Sequence, residues 1–263
     1  MPNAYFTIAK PANDPFKGYL PGSPERTELK AELKRQSEQV VRIPLIIGGK
    51  EVWTDRTIKV TMPHDHQHVI AECCMAGETE LKQAIGAALE AKEAWEEMPW
   101  EHRSAIFLKA ADRITGPYRQ VLNASTMLGQ SKTVFQAEID IAELADFLRF
   151  GVWSAQEIFK DQPLSTDGIW NRQDYRPLDG FICAITPFNF TSIGGNLPTA
   201  PAIVGNVALW KPSRTAVLAN YYYMKLLMDC GLPAGVINFV PCDGADMSKY
   251  VIPHPKMAGF HFT

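Results

Sequence analysis

The sequence has 263 residues, of which 46% are hydrophobic and 21% charged, proportions that exclude a disordered chain, a collagen-like repeat and a coiled coil. The net charge of −3 argues against a basic surface for nucleic acid. Every apolar stretch is well short of the ~20 residues that cross a membrane, so we expect neither nucleic acid nor membrane as a partner.

The first 180 residues predict helices preceded by short strands. Residues 43–61 contain strand-forming runs that Gly48 and Gly49 interrupt. Apolar residues recur at helical spacing in residues 81–89 and 107–114, and a longer helix is predicted from about Thr133. We interpret the next segment, residues 163–178, as a protruding hairpin, because residues 165–176 alternate loosely between polar and apolar side chains.

The last third of the chain predicts a parallel sheet buried on both faces. Residues 181–263 contain only eight charged side chains. Alternating strand and helix patterns predict a parallel α/β sheet. The predicted strands are 181–186, 206–210, 236–240 and 259–262. Residues 191–204 are predicted to contain a helix that begins after Gly194 and Gly195, and residues 215–230 are predicted to form a helix that ends at Gly231. We therefore divide the chain into 1–162, 163–178 and 179–263.

Two polar side chains follow neighbouring predicted strands. Ligands of open α/β sheets bind beyond the carboxyl ends of the strands, where Asn189 offers an amide and Lys211 a cation. The alternative interpretation is that Asn189 caps the next helix and that Lys211 is merely solvated. The sequence has no Gly-x-Gly-x-x-Gly motif, so a nucleotide would have to be bound in another way.

Several motifs resemble the cofactor domain of the aldehyde dehydrogenase superfamily. They are TPFNF at 186–190, GGNLPTAPAIVGN at 194–206, LWKPS at 209–213 and GLPAGVINFVP at 231–241. The resemblance implies an aldehyde-dehydrogenase-type parallel nucleotide-binding sheet, incomplete in this sequence, with an N-terminal helical region and a protruding β-hairpin.

The sequence also contains PGSPER at 21–26, GGKEVWT at 48–54, FLKAADRI at 107–114 and GQSKTVFQAEIDIAELADFLRF at 129–150. These motifs resemble one branch of the superfamily, and the resemblance implies the activity of that branch, the oxidation of L-glutamate γ-semialdehyde to L-glutamate with NAD in proline degradation. Phe188 belongs to the same resemblance, because most other members of the superfamily have tryptophan there. The partner it implies is a small aldehyde, and full-length relatives form homo-oligomers through the hairpin.

The resemblance also implies residue roles. In the family, a cysteine thiolate attacks the aldehyde, an asparagine N–H stabilises the oxyanion, hydride passes to nicotinamide, and a glutamate activates water. Asn189 corresponds to the catalytic asparagine. Phe188 and Glu143 correspond to substrate-site residues, although Glu143 could equally be an ordinary acid on a helix surface. The cofactor-binding residues implied are Thr186, Pro187, Lys211, Ser213 and Arg214.

Two departures from the family pattern affect these expectations. Arg214 stands where relatives usually have an acid, so NADP is not excluded beside NAD. No Glu-Leu-Gly-Gly or Gly-Gln-x-Cys segment occurs, so the base and the nucleophile are missing from the 263 residues. We expect the N-terminal half of a longer enzyme, without its catalytic domain and inactive alone. The alternative is a non-catalytic nucleotide-binding or assembly module.

The cysteines and histidines suggest no further chemistry. Five cysteines without a Cys-x-x-Cys pair are typical of a reducing compartment, which we take to be the cytoplasm. Cys242 is the one cysteine that follows a strand end, and its context does not suggest a lowered pKa. His64, His66 and His68 alternate as zinc ligands can, but no cysteine or carboxylate obviously completes the set, so we predict no metal.

Overall fold

The computed structural model describes residues 6–263, which contain eight helices and nine strands. The helices are α1 (Pro24–Ser37), α2 (Glu78–Glu97), α3 (Trp100–Thr115), α4 (Arg119–Gln130), α5 (Val134–Lys160), α6 (Thr191–Ile203), α7 (Val217–Cys230) and α8 (Gly244–Tyr250). The strands are β1 (Val41–Ile43), β2 (Leu45–Ile47), β3 (Lys50–Val52), β4 (Thr57–Met62), β5 (Asp65–Cys74), β6 (Phe181–Ile185), β7 (Val207–Lys211), β8 (Ile237–Phe239) and β9 (Met257–Phe262).

The strands form two sheets. The larger has the order β3-β2-β8-β7-β6-β9, and the smaller has the order β1-β5-β4. In the larger sheet β8, β7, β6 and β9 are parallel, while β2 and β3 form an antiparallel hairpin at one edge. The predicted α/β class with a parallel sheet is therefore confirmed.

The apolar runs of the sequence account for the central strands. The first four residues of β6 and of β7 are all buried, because helices cover a parallel sheet on both faces. The edge strand β9 differs, with Phe260 40% and Phe262 63% exposed. The side chains of β6, β7 and β8 are thus mostly buried, whereas β9 exposes large apolar side chains.

The predicted end of α7 is confirmed. Gly231 adopts a left-handed conformation with φ of 102°, and its N–H donates to the carbonyls of Leu227 and Met228. A side chain with a Cβ is strained in that conformation, so glycine is the natural residue after the last turn. The chain can then turn directly into β8.

The predicted start of α6 is wrong. The helix begins at Thr191, and Gly194 and Gly195 lie within it. These glycines make close contacts instead of breaking the helix. A methyl group on Gly195 would lie 2.6 Å from Cδ1 of Leu144 and 2.7 Å from Cε1 of Tyr223. Their small size is therefore required by packing against neighbouring helices.

The segment predicted as a hairpin reverses direction with a single antiparallel bridge, between Thr166 and Ile169. Hydrogen bonds between Gln162 and Gln173 join the two arms below it. Leu164 is 90% exposed and Trp170 is 79% exposed. The segment therefore presents apolar side chains to the solvent.

Candidate functional site

The carboxyl ends of β6 and β7 lie side by side, as the sequence predicted. Ile185 is paired with Lys211 in the parallel ladder. The N–H of Thr186 donates to the carbonyl of Lys211 at 3.1 Å, and Nε1 of Trp210 donates to Oγ1 of Thr186 at 3.1 Å. These bonds hold the two strand ends together. The residues that follow the two strands therefore lie at the same edge of the sheet.

The turn between β6 and α6 has side chains that are exposed to solvent. Pro187 is half-buried, Phe188 is 65% exposed and Asn189 is exposed. The alternative interpretation of Asn189 as a helix cap is wrong, because the capping residue is Phe190 and its side chain makes no cap bond. Within residues 6–263 the Asn189 amide makes no hydrogen bond, so it is available to a ligand.

A buried carboxylate from another helix caps α6. Asp140, in α5, accepts the N–H of Thr191 at 2.9 Å and the N–H of Ser192 at 2.8 Å. Nζ of Lys132 lies 2.7 Å from the same carboxylate and 4.0 Å from the centre of the Phe190 ring. The sequence analysis missed Asp140, since a carboxylate 51 residues before Thr191 leaves no local capping pattern.

Glu143 also contacts the start of α6. Its carboxylate accepts a hydrogen bond from Oγ of Ser192 at 2.8 Å. Glu143 is half-buried and opens onto a cavity of about 310 Å³. The cavity is lined by Asn13, Phe16, Ile139, Glu143, Asp146, Phe147 and Phe150. The cavity leaves space for a small molecule beside the Glu143 carboxylate, and the role of Glu143 in a substrate site stays a prediction.

Charged side chains gather near the end of β7. Lys211 is half-buried there, and the hydroxyl of Ser213 lies 3.3 Å from that of Thr215. The exposed guanidinium of Arg214 pairs with Asp243, which also pairs with Arg56. The charge of Arg214 is therefore partly balanced within the protein.

The cysteines are unsuited to nucleophilic attack. All five are buried. Burial raises the pKa of the Cys73, Cys183 and Cys242 thiols to about 12, and it also raises the pKa of Cys230. Because the thiolate is the attacking species, such thiols are almost wholly unreactive near neutral pH.

The histidines do not come together. Nδ1 of His64 lies 2.7 Å from Oγ of Ser131, whereas Nε2 of His68 lies 2.6 Å from the carbonyl of Ser37. In the part of the chain that the structure describes, no group of three or more His, Cys, Asp or Glu residues is arranged to bind a metal ion. Nor is any helix of residues 6–263 long and apolar enough to cross a membrane.

The larger sheet makes this an α/β protein, and ligands of open α/β sheets bind beyond the carboxyl ends of the parallel strands, where these polar side chains lie. Residues 52–263 match the model of the aldehyde dehydrogenase family, so the chain belongs to that family.

The relatives with high sequence identity belong to a narrower group within this family. The chain is 49% identical over 263 residues to a Δ1-pyrroline-5-carboxylate dehydrogenase of Agaricus bisporus, covering 99% of this chain and 48% of that protein. It is 47% identical over 253 residues to the mitochondrial enzyme of the same name from Bos taurus, covering 96% and 45%. A Mycobacterium tuberculosis Δ-pyrroline-5-carboxylate dehydrogenase bound with NAD superimposes with a TM-score of 0.97 at 49% identity, covering 99% and 49%. The chain spans about half the length of these relatives.

Proposed function

We propose that this chain forms the cofactor-binding part of an NAD-dependent dehydrogenase that oxidises L-glutamate γ-semialdehyde, from Δ1-pyrroline-5-carboxylate, to L-glutamate. The observation that carries the proposal is that Lys211 ends β7 and that Asn189 lies in the turn that follows the adjacent parallel strand β6. The names of the relatives from A. bisporus, B. taurus and M. tuberculosis support the substrate.

The proposed catalytic role of Asn189 follows from its chemistry. Attack on an aldehyde carbonyl creates an oxyanion, and an amide N–H that is held ready stabilises that charge in the transition state. The exposed, unpaired amide of Asn189 suits this role. Phe188 beside it would line the path of the aldehyde, and the Glu143 carboxylate would accept a hydrogen bond from the substrate.

The proposed cofactor site lies at the end of β7. Lys211 would donate to the adenosine ribose, with Ser213 and the backbone of Thr186 and Pro187 close by. The N-terminus of α6 already binds the Asp140 carboxylate, so a nucleotide phosphate would bind elsewhere. When bound, NAD supplies the hydride acceptor. The pairing of Arg214 with Asp243 supports NAD over NADP, since it weakens the attraction for a 2′-phosphate.

The nucleophile and the base would come from residues outside these 263. The buried, high-pKa cysteines support this part of the proposal. The same observation favours a second candidate, a nucleotide-binding module without catalysis. The two candidates differ in one measurement, since only the first predicts NADH formation from L-glutamate γ-semialdehyde by the protein expressed at its natural full length.

Replacement of Asn189 tests the catalytic proposal. In the natural full-length protein, Asn189→Ala should lower kcat by about 10²- to 10³-fold, because one oxyanion donor is lost. Its stability should barely change, since the side chain is exposed. Steady-state kinetics with L-glutamate γ-semialdehyde and NAD measure the effect. Exposed Gln67, in β5, provides the control Gln67→Ala. An Asn189→Ala enzyme with unchanged kcat would contradict the proposed role.

Assembly and location are further parts of the proposal. Exposed Leu164 and Trp170 support residues 163–178 as an element that joins copies of the chain into a homo-oligomer. The five free cysteines support a reducing compartment such as the cytoplasm, although several relatives bear mitochondrial names. We also keep the division into 1–162, 163–178 and 179–263 as a proposal.

A further inference from the structure

We propose that Asp140 is a positioning residue that, together with Lys132, fixes the turn bearing Asn189 in its catalytic orientation. The inference rests on the proposed function, because it assumes that the Asn189 amide meets the oxyanion. It assigns a role to two side chains that lie outside the turn.

The contacts of Asp140 are local to that turn. Each of its two carboxylate oxygens accepts a different backbone N–H, one from Thr191 and one from Ser192. These are the first two residues of α6, immediately after the turn at 186–190. The other end of the turn is fixed by the bond from the Thr186 N–H to the β7 backbone. Asn189 thus lies on a short segment that is held at both ends.

Lys132 contacts both the Asp140 carboxylate and the end of the turn. Its Nζ pairs with Asp140 at 2.7 Å and lies over the ring of Phe190, the residue after Asn189. The side chain of Lys132 is only 12% exposed and that of Asp140 is fully buried. A buried carboxylate without a cation would be strongly unfavourable, so Lys132 makes the Asp140 cap possible.

Electrostatics favours the same arrangement. The first N–H groups of a helix have no partner within the helix, and its N-terminus carries a partial positive charge. Asp140 satisfies two of these groups and places a negative charge at the favourable end. The turn is therefore fixed by charge-assisted hydrogen bonds, which are stronger than those between neutral groups.

The central experiment is a double-mutant cycle in the natural full-length protein. Asp140→Asn removes the charge and leaves a single acceptor oxygen for two N–H groups. We expect kcat to fall roughly tenfold to a hundredfold, because a misplaced catalytic group loses much of its effect. Asn189→Ala removes the side-chain amide that Asp140 is proposed to position. Adding Asp140→Asn to Asn189→Ala should therefore lower kcat little further. A purely structural role would instead give independent, multiplying losses.

Local exchange measurements complete the test. In Asp140→Asn the amide hydrogens of Thr191 and Ser192 should exchange faster with solvent, while the KM for NAD stays close to that of the wild type. Glu138→Gln is the matched control, since Glu138 is equally buried in α5 but binds Arg119 and Tyr19. It should weaken folding without changing kcat or those two amides. Lys132→Arg should retain most of the activity that Lys132→Met loses.

The outcomes separate this inference from the proposed function. If Asn189→Ala leaves kcat unchanged, the proposed function itself fails. If Asn189→Ala lowers kcat but Asp140→Asn does not, or if the two losses multiply, only the positioning role is overturned. Should Asp140→Asn fail to fold, Lys132→Met takes its place in the cycle, with the same expected and contradicting results.

Discussion

Asn189 and Asp140 show two different ways in which a polar side chain is used. Asn189 is exposed and free of hydrogen bonds in the described residues, whereas Asp140 is fully buried and has three donors around it. A buried polar group without partners is costly, so the partners of Asp140 are part of the fold. The unpaired amide of Asn189 costs little in water and remains available for a ligand.

Gly195 permits a test of packing at the level of one residue. We expect Gly195→Ala to destabilise the protein by about 1–3 kcal/mol, because its methyl group would overlap Leu144 and Tyr223. The control is Gly86→Ala at an exposed position of α2, where an added methyl meets nothing within 4 Å. That control should raise stability by about 0.5–1 kcal/mol. Urea unfolding measures both changes, and a neutral Gly195→Ala would contradict the packing described for α6.

At the scale of elements, a buried charge cluster joins the segment before α1 to α4 and α5. Glu138 accepts hydrogen bonds from the Arg119 guanidinium, the Tyr19 hydroxyl and the Lys17 N–H. Asp14 pairs with both Arg119 and Arg149. The segment is therefore fixed by charge pairs as well as by Tyr19, which packs in an apolar cluster with Leu29 of α1 and Ala124 of α4.

This cluster predicts how stability depends on pH. Burial alone would raise the pKa of Glu138, but the hydrogen bonds from Arg119 and Tyr19 outweigh it and lower that pKa below its usual value. Its stabilising effect is therefore complete above the unfolded pKa of about 4.3 and is lost as the pH falls through the lower folded pKa. The free energy of unfolding should decrease on acidification in that range.

Substitutions in α5 check the assignment. Glu138→Gln should be less stable at neutral pH, and its loss of stability in acid should be smaller than that of the wild type. The exposed Glu157, paired with Lys160 in the same helix, is the control, and Glu157→Gln should change little. Urea unfolding across the acidic range gives the comparison. Equal acid dependence of the wild type and Glu138→Gln would rule out Glu138 as the responsible group.

At the scale of the whole molecule, the sequence predicted those strands and helix ends that depend on residues close together in the chain. Apolar runs predicted the buried strands β6, β7 and β8, and Gly231 predicted the end of α7. The helix α4 was missed although its apolar residues gather on one face; it also buries polar residues such as Asn123 and Thr126, whose partners come from other segments. The start of α6 was misplaced because its cap comes from Asp140, far away in the sequence. Contacts of this kind become visible only in three dimensions.

The same limit applies to the candidate site, of which the sequence predicted the strand ends but not the contacts between distant segments. Adjacent strand ends follow from the order of strands and helices, so the closeness of Thr186 and Lys211 was predictable. The family resemblance then suggested roles for Asn189 and Glu143. Neither source indicated the Lys132–Asp140 pair or the partial neutralisation of Arg214 by Asp243. These depend on how separate segments pack.

The central claim is that one edge of the sheet serves both the nucleotide and the reacting carbonyl. The most direct measurement is a crystal structure of the natural full-length protein with NAD bound. We predict that Nζ of Lys211 lies within hydrogen-bond distance of the adenosine ribose, and that the nicotinamide end lies on the same side of the sheet as the Asn189 amide. A nucleotide bound away from the ends of β6 and β7 would contradict the account.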